Sequence, residues 1–483
     1  MQALLPRATS GRVPALGSSV SRTLRLRPHS LAAATLLPPT PARTYGAVPS
    51  SPHRPLLPRA SCQPPSFRLG HRKLSTTKPP PFAFAFDIDG VLLHSAKPIP
   101  GAKEALKFLT GNNIPFILLT NGGAKRSGRR QEELSHLLGL PPDRDYLVQS
   151  HTPFSELARS PLTPFGASLF PGEESLRDKN ILVMGSDDTE MRHIAEEYGF
   201  RNVLTTSDIA AADPTIIPFP TSSKEPAAAT TATQQQLLPL VSGGKLKIDA
   251  VFVFNDPRDW ALSAQIITDL LLSEGGVLGT YSARNGRADL PGHGWQSDGQ
   301  PRLYFSNPDL FWSSANPLPR FGQGAFHAAL DGIWRRVTDG KASPPRCKVI
   351  GKPSRETYRY ADNVLLSSSS SSSGSGSGAG DRSTSTTVYM VGDNPESDIR
   401  GANEFKNYYG GGGRGEGGRG EGGRGEGGRG GAAEWRSVLV RTGVWRPERG
   451  PPKYEPDAIV DDVRAAVEWA LEREGWKGEG GIA

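Results

Sequence analysis

Phe82-Ala83-Phe84-Ala85-Phe86-Asp87-Ile88-Asp89-Gly90-Val91 is the stretch that decides the fold. Its run of apolar residues reads as a short buried strand, and the two acids with Gly90 read as the loop into which that strand opens. Immediately downstream, residues 101–111 set Ala102, Ala105, Leu106, Phe108 and Leu109 at helical spacing. Residues 114–119 then make a second buried strand, which stops at Thr120-Asn121-Gly122-Gly123. Strand, helix, strand in that order implies a parallel βαβ unit.

The rhythm continues along the chain. Residues 180–184 are strand-like, end in Gly185-Ser186-Asp187-Asp188 and lead into a helical 189–198. Residues 250–254 make another strand, followed by Asn255-Asp256-Pro257 and a helical 260–272. Residues 388–391 lead to Gly392-Asp393-Asn394, residues 437–440 give a late strand, and 461–473 a closing helix. Three low-complexity insertions break this order: 221–244, rich in Ala, Thr, Pro and Gln; 367–387, mostly Ser and Gly; and 410–430, which repeats Arg-Gly-Glu-Gly-Gly. Arginine-glycine segments can bind nucleic acid. Here each Arg alternates with Glu and no aromatic is interleaved, so the repeat reads as a flexible surface insertion in a helix-to-strand connection.

Only 36% of the chain is hydrophobic, and it holds 56 Gly and 43 Pro, so the core-forming segments are concentrated between loose stretches. The formal charge is +7, which by itself would suggest an acidic partner. Its distribution points elsewhere. No Asp or Glu precedes Asp87, whereas ten Arg and two Lys do, leaving 44 basic residues against 49 acidic ones in the remainder. Nothing therefore suggests a nucleic-acid groove. An acid-free leader rich in Arg, Ser, Ala, Leu and Pro over residues 1–78 has the composition of a mitochondrial transit peptide, processed near 71–77; a basic tail without an address is the plain alternative. Cys62 lies in that leader and Cys347 stands by itself, so no internal disulfide is expected, which suits a reducing or matrix compartment. No run of 18 apolar residues occurs, so no spanning helix is expected.

Four elements carry chemistry. Asp87 and Asp89, two apart at a strand end, can supply a nucleophile and a proton-handling group, although acidic pairs there are often plain solvated loop residues. Thr120 and Asn121 offer a hydroxyl and an amide to phosphoryl oxygens, although Thr-Asn-Gly is also ordinary turn chemistry. Gly351-Lys352-Pro353 offers a fixed ammonium, although a lone lysine is ordinarily a surface residue. Gly392-Asp393-Asn394-Pro395-Glu396-Ser397-Asp398-Ile399 offers acids suited to Mg²⁺, a hard cation. The first, second and fourth follow strands, and in an open parallel sheet those ends share the edge where ligands bind.

In this order the set resembles the four motifs of the haloacid dehalogenase superfamily. The resemblance implies Asp87 as nucleophile, Asp89 as general acid/base, and Thr120 and Lys352 as catalytic, phosphoryl-binding groups. It implies substrate contacts from Thr120, Asn121, Gly122 and Lys352, and Mg²⁺ held by Asp87, Asp393 and the backbone oxygen of Asp89. Asn394 and Asp398 would be supporting residues. The second acid, Asp89, favours a phosphatase over a dehalogenase. About 230 residues separate Thr120 from Lys352, too many for a loop, and this placement resembles class IIA members such as the pyridoxal and nitrophenyl phosphatases. The implied fold is α/β: a doubly wound parallel-sheet core from 80–125 and 345–475, with an inserted α/β cap of the C2 type from 126–344.

Several further segments look like the mitochondrial branch typified by cat eye syndrome critical region protein 5: residues 114–123, Gln149-Ser150-His151-Thr152-Pro153, Phe254-Asn255-Asp256-Pro257-Arg258-Asp259-Trp260, Tyr304-Phe305-Ser306-Asn307 and 320–326. Some fungal members of that branch carry a phosphatidyltransferase domain, a link to glycerophospholipid synthesis by association. The expected activity is hydrolysis of a small phosphate ester with Mg²⁺ in mitochondria, with a homo-oligomer through the cap as a further expectation. A binding or assembly protein that keeps a weakly active site is the alternative. His151 and Asn255-Asp256 are cap candidates for facing the site, but His151 can equally cap a turn and Asp256 start a helix. Trp260 and Trp312 are expected in the core. Arg320-Phe321-Gly322-Gln323-Gly324 lacks the spacing of a dinucleotide loop.

A fusion of residues 1–80 to a fluorescent reporter is expected to enter mitochondria. Cytosolic or nuclear fluorescence would remove the leader assignment.

Overall fold

The computed structural model describes residues 80–142, 146–159, 168–216, 232–312, 314, 316, 318–343, 345–370, 387–410, 433–476 and 482. The leader, most of the Arg-Gly-Glu-Gly-Gly repeat and residues 371–386 of the Ser-rich stretch lie outside them.

Two parallel sheets organise the described chain. The first has six strands in the order Ala458–Val460, Glu434–Val440, Thr387–Gly392, Phe82–Phe86, Phe116–Thr120, Leu147–Gln149. Every neighbouring pair in it is parallel. Phe82–Phe86 is central because it is buried on both faces. Phe82, Phe84 and Phe86 enter one cluster with Phe116, Tyr389 and Val438, while Ala83 and Ala85 face a second cluster. Phe84 stacks on Phe86 with ring centroids 5.4 Å apart and leans on Tyr389 at 5.6 Å. From this central strand the chain goes first to Phe116–Thr120 on one side and later to Thr387–Gly392 on the other. The carboxyl ends of Phe82–Phe86 and Thr387–Gly392 therefore flank the point at which strand order reverses, where such sheets open a crevice.

The second sheet orders Cys347–Val349, Arg302–Phe305, Ala250–Val253, Asn180–Met184 and Asn202–Thr205, again all parallel. Helices start where short polar side chains can cap them. Asp187 accepts from Glu190 N at the head of Asp188–Tyr198, and Asp259 from Leu262 N at the head of Trp260–Leu272. The closing helix begins at Val463, because Asp462 is its cap.

Three expectations are corrected here. Leu147–Gln149, assigned by sequence to the cap, pairs with Phe116–Thr120 in the first sheet. Cys347–Val349, assigned to the core, pairs with Arg302–Phe305 in the second. Both strands have three residues, too short for periodicity to reveal their partners. Within 221–244, Ala232–Ser242 forms a helix whose Leu237 and Leu238 pack on the second sheet's cluster; an Ala- and Gln-rich composition hides a good helix former.

The two sheets are joined by apolar packing. One cluster takes Ala83, Ala85, Ile117 and Val148 from the first sheet and Ile181, Val183, Phe252 and Tyr304 from the second. Phe154, in the 3₁₀ turn Thr152–Ala158 that leaves the first sheet, packs its ring 5.1 Å from Phe252 and 5.6 Å from Tyr304. Phe154→Ala is expected to cost about 3–5 kcal/mol. Both sheets should melt in one transition, read by calorimetry and urea denaturation. A variant in which only half of the heat signal moves would show that the sheets are independently stable.

Candidate active site

Asp87 follows the central strand and is fixed by its own backbone, with its N–H donating to Val391 O at 2.9 Å. The residue is 8% exposed. Asp89, two residues on, is half-buried, and burial raises its carboxyl above the usual range against the pull of Arg130 and Lys352. Gly90 between them and the next strand has φ +96°, a conformation that L side chains avoid. A Cβ there would lie 2.4 Å from Asp393 Oδ2.

Lys352 arrives from the other sheet. It stands three residues past Cys347–Val349 and is 1% exposed. Its Nζ lies 2.7 Å from Asp87 Oδ1 and 2.7 Å from Asp398 Oδ1. Burial pulls the ammonium's pKa down, yet the Asp398 and Asp87 carboxylates hold it above its ordinary value. Its backbone is held by Asn121: Lys352 N donates to Asn121 Oδ1 at 2.7 Å, and Asn121 Nδ2 donates to Lys352 O at 2.9 Å. The Asn121 side chain, expected from sequence to reach substrate, is thus committed to the lysine main chain. Thr120 Oγ1 accepts from Gly122 N at 2.9 Å, which leaves the hydroxyl proton for a guest oxygen.

Asp393 follows Thr387–Gly392 on the far side of the crevice. Val444 N donates to its Oδ2 at 2.6 Å and Trp445 N to its backbone oxygen at 3.1 Å. A Cβ on Gly443 would lie 1.8 Å from the same Oδ2. Thr442 Oγ1 donates to Gly90 O at 2.5 Å, tying this loop to the Asp87 loop. Asp398 is fully buried; its Oδ2 accepts from Asn394 N at 3.0 Å, and Tyr358 OH donates to its backbone oxygen at 2.8 Å. Asn394 caps the turn Pro395–Ile399 by accepting from Glu396 N.

Asp87, Asp393 and Asp398 each offer an oxygen, and these oxygens lie within 4.8 Å of one another; among the described residues no other such group of metal-ligating side chains occurs. Burial pushes Asp393 well above the carboxylate range, with Asp87 and Asp398 adding to it. Burial also raises Asp87 despite Lys352, and pushes Asp398 up to about 6. One ammonium faces three carboxylates, so negative charge is left over. Hard oxygen donors with uncompensated charge fit a small divalent cation.

The cap residues singled out by sequence divide. His151 is fully buried, with Nδ1 2.6 Å from Tyr198 OH and Nε2 3.0 Å from Gln149 Nε2; burial drives its pKa down to about 3, so the ring is neutral. It joins the first sheet to helix Asp188–Tyr198 and is not part of the acid cluster. Asn255 is locked to Ser186, accepting from its N at 2.6 Å and donating to its Oγ at 2.9 Å. Asp256 is half-buried, with its Oδ1 buried and without a hydrogen bond. Trp260 packs on Phe326 at 5.5 Å. Trp312, expected in the core, is 44% exposed on the hairpin of Phe311–Trp312 with Arg320–Phe321, where only one face of a two-stranded ribbon can be covered. Gln323 of the Arg320–Gly324 segment is a buried brace, accepting from Asn307 N at 2.8 Å.

Sequence reasoning missed Thr442, Gly443 and Val444, Tyr358, and the cap pair Asn307 and Asp309. The first three stand just past the strand Glu434–Val440, in the same strand-then-glycine pattern that marked Asp87, and that pattern could have found them.

Residues 84–201 match the family described as haloacid dehalogenase-like hydrolase, and residues 349–406 match one described as HAD-hydrolase-like. A Saccharomyces cerevisiae protein described as a mitochondrial hydrolase is 34% identical over 417 residues, covering 84% of this chain and 99% of the relative. The chain belongs to the haloacid dehalogenase-like hydrolase family. It is a class IIA member of that family, with its second sheet between Thr120 and Lys352. A Schizosaccharomyces pombe protein described as a fusion of cardiolipin synthase (CMP-forming) with a mitochondrial hydrolase is 35% identical over 403 residues, 83% of this chain; the chain spans 55% of that relative. Among solved structures, the p-nitrophenyl phosphatase from Archaeoglobus fulgidus matches with a TM-score of 0.45 and 16% identity over 80% of this chain and 98% of that one. NagD from E. coli matches with a TM-score of 0.42 and 18% identity over 79% and 96%.

The Gly443 contact is open to a direct check in this hydrolase. Gly443→Ala must displace Asp393, and Mg²⁺ affinity measured by isothermal titration is expected to fall about 10–100-fold. An unchanged isotherm would separate this loop from the cation site.

Proposed function

We propose that this hydrolase is a magnesium-dependent phosphatase of small phosphate esters that works through an aspartyl phosphate. One observation carries the proposal: Lys352 Nζ is held 2.7 Å from both Asp87 and Asp398 beside the Asp393 carboxylate. That arrangement opposes the rise that burial imposes on the Asp87 carboxyl and places positive charge where a phosphoryl group would build up negative charge.

Asp87 Oδ attacks phosphorus while the bond to the leaving oxygen breaks. Lys352 and the Thr120 hydroxyl neutralise the equatorial oxygens. Asp89 has a raised carboxyl pKa, so it holds a proton at higher pH than a free carboxyl and can deliver it to the leaving oxygen. In the second half, Asp89 takes a proton from water, the water oxygen attacks phosphorus, and the bond to Asp87 breaks to release inorganic phosphate. Asp87 and Asp393, with the Asp89 backbone oxygen, would hold Mg²⁺, and Asp398 stays paired with Lys352. When bound, that metal would supply Lewis-acid charge for the phosphoryl oxygens.

The relatives' names carry a mitochondrial placement, and the acid-free leader agrees with it. A connection to glycerophospholipid synthesis rests on the fused cardiolipin synthase of one relative. No described helix is long and apolar enough to cross a membrane.

Against a panel of phosphate esters, hydrolysis is expected to need Mg²⁺ and to vanish with chelator. Asp87→Asn should lower turnover by about three orders of magnitude or more while the protein still folds, and Asp89→Asn should accumulate acid-stable labelled protein from a substrate with a good leaving group. If the wild type hydrolyses nothing on a broad panel, and both variants still complement a deletion strain, the chain acts by binding and the phosphatase assignment fails.

A further inference from the structure

Asn121 sits between three parts of the molecule. Its Oδ1 accepts from Lys352 N, and its Nδ2 donates both to Lys352 O and to Asp309 Oδ2, the latter at 2.9 Å. Those partners fix the amide's orientation, because only the oxygen can accept and only the nitrogen can donate. Asp309 comes from Ser306-Asn307-Pro308-Asp309, which follows the second-sheet strand Arg302–Phe305. Asn307 Nδ2 donates to Asn121 O at 3.1 Å, and Asn307 Oδ1 accepts from Asp309 N at 2.7 Å. The loop is anchored in turn by Gln323, whose Oε1 accepts from Asn307 N and whose Nε2 donates to Val253 O at 3.0 Å. A chain of direct bonds therefore runs from the second sheet through Asn307 and Asp309 to Asn121, and from Asn121 to the lysine that faces Asp87.

We propose that Asp309 is a positioning residue for phosphoryl transfer: by accepting from Asn121 it fixes the amide that holds the Lys352 backbone, and so sets where Nζ meets Asp87. This rests on the phosphatase function proposed above. A neutral acceptor could hold the amide, but a carboxylate does so more strongly, because the hydrogen bond is charge-assisted. The charges facing Asp309 are Lys352, Asp398 and Asp87, and burial pushes its carboxyl up to about 7. The second sheet thus contributes to catalysis through a hydrogen-bond relay as well as through the lysine itself.

Displacement of a catalytic group by about 1 Å can cost on the order of 100-fold in rate. In the full-length chain, Asp309→Ala is expected to lower kcat about 10–100-fold with KM changed less than about threefold. Asp309→Asn keeps an acceptor oxygen and should recover most of the loss. Hydrogen exchange provides a readout that does not depend on turnover: peptides containing Lys352 should exchange faster in the alanine variant and close to the wild-type rate in the asparagine variant. A purely structural tie between the sheets would lower the melting temperature while leaving kcat, measured well below melting, at the wild-type value; that result overturns the proposal. So does unchanged exchange at Lys352 in the alanine variant. If the wild type shows no hydrolysis, the phosphatase function fails by itself, and the exchange comparison still decides whether Asp309 holds Lys352.

Discussion

Lys352 is a fully buried ammonium shared by two buried carboxylates, Asp87 and Asp398, at 2.7 Å each. Removing such charges from water costs several kcal/mol per ion unless geometry and hydrogen bonding offset it. Much of the surrounding structure acts to provide that geometry. The strand ends converge at the reversal of strand order, the Asp398 carboxylate is braced by Asn394, and the Lys352 backbone is bonded on both sides by Asn121. Lys352 could not stay put on a mobile loop and still meet two acids.

The lysine does not belong to the sheet that bears Asp87. It follows the edge strand of the second sheet, so the site is complete only when both sheets are in register. The apolar cluster spanning Ala83, Ile117, Phe154, Phe252 and Tyr304 holds them there. A cap joined to the core through a common hydrophobic cluster cannot swing as a free lid without exposing apolar surface, at about 25 cal/mol for each Å² uncovered.

Much of this was legible in sequence, because Asp87 and Asp393 sit directly after strands and each of those strands is announced by an apolar run. Phe82–Phe86, Asn180–Met184 and helix Trp260–Leu272 appear where the apolar spacing puts them. Partnership between distant segments was not legible. Nothing local in Leu147–Gln149 or Cys347–Val349 says which sheet it joins, and the boundaries moved for that reason. Asn121 illustrates the same limit at the site. Its residue type suggests a substrate contact, but its role depends on Lys352, 231 residues away, and on Asp309, 188 away. Trp312 was placed in the core on hydrophobicity, which cannot register that a two-stranded hairpin has too little covering to bury it.

Asp87 and Asp398 share one lysine but face different demands, and the electrostatics separate them. The proposed mechanism needs an ionised Asp87 at neutral pH, yet burial raises its pKa; Lys352 is the largest opposing influence. The same contact withdraws electron density from the attacking oxygen, which would slow attack if it persisted. In the proposed mechanism an arriving phosphoryl group would resolve the conflict, because its oxygens would compete for the ammonium just as Asp87 is needed as a nucleophile. Asp398 has no such exchange to make. Buried without exposure and bonded through Oδ2 to Asn394 N, it would anchor Nζ while the bond to Asp87 loosens in that mechanism. The lysine could then follow the developing charge without leaving its place, which a single salt bridge to Asp87 would not allow.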